Sequence, residues 1–173
     1  AAQDLAVVDV SVTTRDGELA RRMEPRASAP HRRLETIAAL AEAGVPTGVS
    51  VAPVIPGLTC HELEGILRAA AAAGAVSASW VLLRLPHELE VLFEDWLAEH
   101  RPDRRERVLS LIRQSRGGRL NDASFGGRMT GDGPIAGLIA DRFKAGCRRF
   151  GLAGRDGRRL RTDRFGPPEA RAQ

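Results

Sequence analysis

The stretch from Pro53 to Glu62 is the feature that most constrains how this chain can fold. It reads Pro-Val-Ile-Pro-Gly-Leu-Thr-Cys-His-Glu and follows the apolar run at positions 49–52. An apolar strand, a proline-glycine turn and a T-x-x-E capping box, with Thr59 as the cap and Glu62 reaching back, predict a strand-to-helix corner. In proteins built from βα units, such corners lie at the carboxyl ends of parallel strands, where ligands bind.

Strand-like and helix-like segments alternate on both sides of this corner. Apolar runs predict strands at about 7–13, 47–54 and 77–84, and amphipathic runs predict helices at about 30–43, 61–73 and 87–100. This alternation predicts right-handed crossovers and a parallel sheet. Three such strands are too few to close a barrel, and the chain opens at Ala1 without an initiating Met, so we expect a missing segment upstream.

The chain changes character after His100. Residues 102–116 predict an arginine-rich amphipathic helix, 117–133 a glycine-rich polar loop, and 134–150 a further helix. Beyond position 154 arginines dominate and apolar residues are almost absent, which is typical of disorder. We therefore divide the chain into a barrel part at 1–100, a helical basic extension at 101–153 and a disordered tail at 154–173.

Charge is distributed unevenly along the chain. Residues 1–100 carry 8 basic and 14 acidic side chains, whereas residues 101–173 carry 18 and 8. The second part is thus suited to phosphates or acidic partners, and a nucleic acid is the candidate. Seven of its arginines lie close together: Arg101, Arg104, Arg105, Arg107, Arg113, Arg116 and Arg119. No aromatic side chain between His100 and Arg119 is available to stack a base, so a solvated helix packed under the barrel is the alternative.

Other features exclude several classes of protein. No run of 18 apolar residues could span a membrane, and no amino-terminal segment has the pattern of a signal peptide, so we expect a cytoplasmic protein. Cys60 and Cys147 do not make a disulfide framework, and the four histidines are too widely spaced for a zinc motif. We predict no metal ligand in this chain.

Several motifs agree with one known family in both order and distance. They are the segments 10–16 (Val-Ser-Val-Thr-Thr-Arg-Asp), 22–27 (Arg-Met-Glu-Pro-Arg-Ala), 32–37, 53–62 and 81–86. Together they resemble the second half of a radical S-adenosylmethionine barrel, in the branch that looks like spore photoproduct lyase, and the resemblance covers about 7–152. The fold that it implies is α/β: the carboxyl-terminal half of a partial (βα)6 TIM-type barrel with parallel strands, plus a helical carboxyl-terminal extension.

The resemblance also implies a reaction. Such an enzyme cleaves S-adenosylmethionine reductively at a 4Fe-4S cluster to make a 5′-deoxyadenosyl radical; its substrate here is unknown, with a nucleic acid as the candidate. The cluster is held by a CxxxCxxC loop, which this chain lacks. We expect those ligands in the missing amino-terminal half of the same protein, and we expect this chain alone to be inactive. Cys60 stands where relatives would carry Asn or Asp, and Cys147 fits a buried structural thiol better than a reactive one.

Eight residues match the cofactor-binding positions of the family. Ser11, and after it Thr13, would hold the ribose or methionyl group, and Arg26 would pair with the methionyl carboxylate. Val54 and Ile55 would pack on the adenine, with Gly57 allowing close backbone approach, and the strand end that includes Leu83 and Leu85 would meet the adenine edge. The resemblance assigns no catalytic residue.

The same residues have plainer interpretations when they are considered without the family. The hydroxyls of Ser11 and Thr13 could bond to neighbouring backbone, Glu24 could pair with Arg26 or Arg22, and Val54 and Ile55 could be ordinary core residues. Arg84 is either an inward substrate ligand or a surface residue with a buried stem. For the whole chain, the alternative function is a non-catalytic basic module that binds nucleic acid on a barrel scaffold.

Overall fold

The computed structural model describes residues 5–125, 127–154, 160, 161 and 163. Its centre is a parallel sheet with the strand order β1-β2-β3-β4. The strands are β1 Val8–Ser11, β2 Thr47–Val54, β3 Ser77–Leu82 and β4 Ala153–Gly154. The predicted α/β class and the parallel sheet are confirmed, and β2 has the predicted bounds.

Seven α-helices lie between these strands in the described part of the chain. They are α1 Gly17–Met23, α2 Pro30–Glu42, α3 Leu63–Ala72, α4 Leu89–His100, α5 Arg105–Gln114, α6 Gly127–Thr130 and α7 Gly133–Phe150, with a short 3-10 helix, Cys60–Glu62, before α3. The five predicted helices are confirmed with shifted ends. Gly151, at φ 69°, ends α7 in the left-handed conformation that glycine adopts without strain. No described helix is both long enough and apolar enough to cross a membrane.

The fourth strand was not predicted. Ala153 and Gly154 pair with Ser77 and Ala78, so the chain returns to the sheet beside β3 directly after α7. A two-residue strand made of alanine and glycine has no periodicity and little strand propensity, so the pattern could not reveal it. The predicted tail is therefore wrong at Gly154; apart from Leu160, Arg161 and Asp163, the remainder of it lies outside the described residues.

The two faces of the sheet differ in chemistry. The register sets Val10 level with Val49, and Val49 level with Ala78. Val49 and Ala78 belong to a buried core that also contains Leu63, Ile66 and Leu67 of α3 and Ile139, Phe143 and Cys147 of α7, and the half-buried Val10 packs against it. The opposite face carries Asp9, Ser11, Ser50 and Ser79, which are exposed or half-buried. The first hydrophobic core, with α2, α3 and α7, thus lies on one side, and a polar surface lies on the other.

A second hydrophobic cluster lies where the strands end. Residues that follow β2 and β3, among them Ile55, Leu58, Leu83 and Leu85, pack there with side chains of α1, α4 and α5, namely Leu19, Phe93, Leu97, Val108, Leu109 and Ile112. The indole N–H of Trp96 on α4 donates to the carbonyl of Arg22 on α1 at 3.2 Å. This cluster fixes the loops at the carboxyl ends of the strands, and these loops carry the candidate site.

Candidate functional site at the carboxyl ends of the strands

Hydrogen bonds join the ends of three neighbouring strands. The Thr13 Oγ1 atom, just after β1, lies 3.0 Å from the carbonyl oxygen of Ala52 on β2. The N–H of Leu83, just after β3, donates to the carbonyl of Val54 at 3.0 Å. Thr13, Val54 and Leu83, which are far apart in sequence, therefore form one row along the same edge of the sheet.

The two hydroxyl residues of the first strand region are in different environments. Thr13 is 3% exposed, and its Oγ1 atom also lies 3.1 Å from Oε2 of Glu24. Ser11 is exposed, and its hydroxyl accepts a hydrogen bond from Nη1 of Arg33 at 3.1 Å. The Thr13 proton is thus taken by protein acceptors, whereas the Ser11 hydroxyl accepts from Arg33 and can still donate its own proton.

Arg33 binds at the same edge, although no motif of the sequence assigns it to this site. Its Nη1 atom donates to the carbonyl of Ser11 at 2.9 Å, its Nε atom to the carbonyl of Ser28 at 2.9 Å, and its Nη2 atom lies 3.4 Å from Oε1 of Glu24. The expected pairing of Glu24 with Arg26 or Arg22 is therefore wrong, because Arg33 reaches Glu24 from the first turn of α2. Arg22 instead pairs with Glu18 one helical turn away.

Arg26, the predicted partner of a carboxylate, is exposed. Within the described residues it makes no hydrogen bond or ion pair, so its guanidinium remains available to a ligand. A neighbouring cavity of about 320 Å³ is lined by Glu24, Pro25, Ala27 and Ser28 from the same loop. The structure thus leaves Arg26 uncommitted and ties Arg33 to the protein.

The corner after β2 is built differently from the predicted capping box. Thr59 makes no capping hydrogen bond; its Oγ1 atom accepts from the N–H of Ile55 at 2.9 Å. The Glu62 carboxylate accepts from the hydroxyl of Thr14 and from the N–H of Arg15, the latter at 2.7 Å. The predicted capping box is wrong because the chain enters α3 through a 3-10 turn. In this turn the Thr59 hydroxyl bonds back to the corner, and the Glu62 carboxylate bonds to the loop after β1.

The apolar residues of this corner face the protein. Val54 is 1% exposed in the first core and Ile55 is 0% exposed in the second, as expected for ordinary core residues. Gly57 has φ 76°, and a Cβ atom there would lie 3.0 Å from Cδ1 of Leu111 on α5. The glycine therefore suits a backbone conformation that other residues rarely adopt and the close approach of α5, and its use for the approach of a ligand stays a prediction.

The segment after β3 combines committed and uncommitted backbone groups. The carbonyl of Leu83 accepts from Nε of Arg116 at 3.1 Å and from its Nη2 at 2.6 Å, so both polar backbone groups of Leu83 are bonded. The backbones of Arg84 and Leu85 make no hydrogen bond in the described part of the chain. Beside them lies a mainly apolar cleft of about 270 Å³, lined by Leu83, Arg84, Leu85, Met23, Phe93 and Trp96.

Arg116, one of the seven arginines that lie close together in the sequence, is not exposed. It is only 3% exposed, and burial lowers the pKa of its guanidinium, an effect that Asp122 opposes and Arg84 reinforces. Two more of the seven arginines, Arg105 and Arg113, pair with Glu94 at 3.1 and 3.8 Å. At most part of this cluster is therefore available to a phosphate backbone.

Neither cysteine is placed as a cluster ligand. The Sγ atom of Cys60 accepts from the N–H of Gly57 at 3.3 Å, which is a role that Asn or Asp would fill with an oxygen. Cys147 is buried, and burial raises the pKa of its thiol, as expected for a structural cysteine. Among the described residues no three His, Cys, Asp or Glu side chains lie together in a way that could hold a metal ion.

No family model and no solved structure matches this chain. It is similar to uncharacterized proteins of Mycobacterium tuberculosis and Mycobacterium bovis, with 38% identity over 117 residues. The aligned region is 66% of this chain but only 34% of each relative. The chain therefore spans about a third of the length of the curated relatives that it matches.

Proposed function

We propose that this chain is part of a radical S-adenosylmethionine enzyme of the branch that looks like spore photoproduct lyase, and that it binds the adenosyl and methionyl groups of the cofactor. The observation that carries this proposal is the row of Thr13, Val54 and Leu83 at the carboxyl ends of β1, β2 and β3. Hydrogen bonds hold the row together, and its members follow the strands in the order that the resemblance requires. In parallel α/β folds this edge is where ligands bind.

The sheet itself supports the idea of a half-barrel. The helices α2, α3 and α7 and the first core lie on one side, whereas Asp9, Ser11, Ser50 and Ser79 form a polar surface on the other. Parallel sheets usually have both faces covered, and barrels turn such a face inward. The relatives are about three times as long as the aligned segment, which leaves length for more strands. The partner that we propose for this face and for the β1 edge is the amino-terminal half of the same polypeptide.

The iron-sulfur cluster does not fit the described residues. Cys60 bonds the corner backbone, Cys147 is buried between α7 and the sheet, and no further metal-ligand set occurs among these residues. We therefore assign the three cluster thiolates to the amino-terminal half, and the steps that depend on the cluster belong to that half.

The residues of this chain bind and orient the cofactor in our proposal. Ser11 donates its free proton to the ribose or methionyl group, and Thr13 supports it by fixing the β1–β2 edge. Arg26, exposed and uncommitted, pairs with the methionyl carboxylate through two parallel N–H donors. The buried side chains of Val54 and Ile55 fix the backbone of the corner after β2 by packing in the two hydrophobic clusters. The segment 83–85 supplies the backbone that contacts the adenine.

A binding experiment on the 173-residue chain tests this assignment. Amide NMR signals of Ser11, Thr13, Arg84 and Leu85 should shift when 5′-methylthioadenosine or S-adenosylmethionine is added. Arg26→Gln should lower the affinity for S-adenosylmethionine by about tenfold, which is the effect of losing one charged hydrogen-bonded pair. The affinity for methylthioadenosine should not change, because this ligand has no carboxylate. The exposed Arg107 on α5, which lies outside this cavity, offers a control with the same chemical change, Arg107→Gln. Unchanged spectra at this edge would overturn the proposal.

Reconstitution tests where the cluster is held. When the chain is incubated anaerobically with iron and sulfide, we expect no stoichiometric iron after desalting. Close to four irons per chain would contradict the assignment of the thiolates to the amino-terminal half.

One observation favours the second candidate function, a basic module that binds nucleic acid, either alone or as the substrate of the enzyme. Phe125 is 94% exposed, and the Arg128 guanidinium carbon lies 5.5 Å from the centre of its ring. Exposed aromatic and arginine side chains together stack on bases of single strands. If this region binds nucleic acid, Phe125→Ala should lower the affinity for a single-stranded oligonucleotide. Arg119→Gln should reduce the slope of log affinity against log salt concentration by about 0.7 to 0.9. Unchanged affinity and slope in both variants would exclude it.

A further inference from the structure

Arg116, two residues beyond the end of α5, is a buried arginine whose charge has no carboxylate partner within ion-pair distance in the described part of the chain. Its donors go to backbone carbonyls: Nε and Nη2 to Leu83, Nη2 also to Leu82 at 3.3 Å, and Nη1 to Arg128 at 3.2 Å. Burying a charge is costly unless its hydrogen bonds are satisfied, so such a fork is a specific arrangement.

The carbonyls that Arg116 binds belong to the end of β3 and to α6. Close packing fixes the same region: Gly131, at φ 74°, has no room for a Cβ atom, which would lie 2.5 Å from Cδ2 of Leu82 and 2.6 Å from the carbonyl oxygen of Ser115. The N–H of Asp132 donates to this Ser115 carbonyl at 2.9 Å. Arg116 therefore joins β3 to a loop that is itself held tightly against the strand.

This arrangement decides which backbone groups after β3 can meet a ligand. Both polar backbone groups of Leu83 are already hydrogen-bonded, the N–H to Val54 and the carbonyl to Arg116. The next polar groups along the chain belong to Arg84 and Leu85, which have no hydrogen bonds in the described part of the chain and border the apolar cleft. An adenine offers an amino donor next to a ring-nitrogen acceptor, which a backbone carbonyl and N–H can match.

We propose that Arg116 is a positioning residue: by holding the carbonyls of Leu82 and Leu83, it presents the backbone of Arg84 and Leu85 to the edge of the adenine. This inference rests on the proposed function, because it specifies how the adenosyl group is recognised. It also moves the predicted adenine contact away from Leu83. Arg116 itself touches no ligand.

A measurement on the unaltered chain tests the position of the contact. With 5′-methylthioadenosine bound, hydrogen exchange at the amides of Arg84 and Leu85 should slow severalfold, or their signals should shift. The Leu83 amide should change little because it is already bonded to Val54. A ligand effect on Leu83 that exceeds the effects on Arg84 and Leu85 would overturn the inference.

A conservative variant tests the role of the guanidinium fork. Arg116→Lys keeps the charge but cannot bind three carbonyls in the same geometry. We expect it to lower the ratio of affinities for 5′-methylthioadenosine over 5′-methylthioinosine by about threefold to tenfold, the effect of one hydrogen bond, with the affinity for the inosine analogue unchanged. If the role of Arg116 were purely structural, Arg116→Lys would lower the affinities for both ligands by the same factor. Arg107→Lys, at an exposed position of the preceding helix α5, is the control for the same chemical change.

The outcomes separate this inference from the function on which it rests. If the unaltered chain binds neither nucleoside nor S-adenosylmethionine, both are overturned. If it binds them and the affinity ratio in Arg116→Lys equals that of the unaltered chain, only the role of Arg116 is overturned. If Arg116→Lys does not fold, the exchange pattern of Leu83, Arg84 and Leu85 in the unaltered chain decides between support and rejection.

Discussion

Glu62, which follows the second strand, accepts a hydrogen bond at 2.7 Å from the backbone N–H of Arg15, which follows the first. The same carboxylate binds the hydroxyl of Thr14, a residue that is 1% exposed. Two neighbouring loops at the ligand edge of the sheet are thus joined through a single side chain. Their relative position depends on this carboxylate rather than on contacts between the loops' own backbones.

Replacing this carboxylate should destabilise the edge. Glu62→Ala leaves the buried Thr14 hydroxyl without its acceptor, and we expect the free energy of unfolding to fall by about 1 to 2 kcal/mol. Glu35→Ala removes an exposed carboxylate paired with Arg32 and should cost less than about 0.5 kcal/mol. Urea unfolding of both variants measures the difference. Equal losses would show that the contact between Glu62 and Thr14 contributes nothing special.

A second pair predicts a dependence on pH. Arg142 of α7 donates from Nε and Nη2 to Glu64 of α3, at 2.7 and 2.6 Å, and this hydrogen bonding lowers the pKa of Glu64. A carboxyl whose pKa is lower in the folded chain stabilises the fold above its unfolded pKa, about 4.3, and loses that effect as pH falls through the folded pKa.

The variant Glu64→Gln should reveal this contribution. Because the pair is partly exposed, with 30% and 40% of the two side chains accessible, we expect a loss of only about 0.5 to 1 kcal/mol at pH 7. The difference from the unaltered chain should shrink steadily as pH falls below about 4.3. Urea midpoints at pH 7, 5 and 3 provide the test, and a difference that grows toward low pH would contradict the assigned role.

The sequence was sufficient for elements whose pattern is long enough to repeat. β2 alternates apolar and small residues over eight positions, and α7 repeats its apolar face over 18 residues, so both were predicted within a residue or two. β4 has two residues and was missed. Short elements acquire their structure from the neighbour they pair with, here Ser77 and Ala78, and a local pattern carries no information about that neighbour.

The site followed the same rule. Thr13, Val54 and Leu83 were predicted at strand ends because each closes a recognisable apolar run. Arg33 and Arg116 were not assigned to the site, because the strand-end carbonyls that they bind, those of Ser11 and Leu83, lie 22 and 33 positions away in sequence. In a chain in which almost every basic residue is arginine, these two look like any other helix arginine. The prediction of a capping box was wrong for the same reason, because Glu62 accepts from Thr14 and Arg15, which lie in a distant loop, and not from the start of its own helix.

The buried thiol should be unreactive. Burial raises the pKa of Cys147, so the fraction of thiolate at pH 8 should be small, and access is further limited because the side chain lies in the core. We expect iodoacetamide to modify Cys60 at least about tenfold faster than Cys147 in the folded chain, and both equally in urea. Peptide mass spectrometry over time measures the two rates. Rapid modification of Cys147 in the folded chain would contradict its placement.

Two glycines of α7 should respond to the same substitution with opposite sign. At Gly137 a Cβ atom would meet nothing within 4 Å, so Gly137→Ala should stabilise the chain by about 0.5 to 1 kcal/mol through helix propensity alone. At Gly146 the new Cβ would lie 2.7 Å from Cδ1 of Leu67 on α3. Leu67 is 0% exposed, so it has little room to move, and overpacking should cost about 1 to 3 kcal/mol.

Thermal or urea unfolding of the two variants measures this contrast directly, and each variant serves as the control for the other because both carry the same change in the same helix. The contrast depends on how closely α7 approaches α3, since the propensity gain is common to both positions. If Gly146→Ala stabilised the chain as much as Gly137→Ala, Leu67 would have to move aside freely. The contact between α3 and α7 would then be looser than the buried side chains of Leu67, Phe143 and Cys147 indicate.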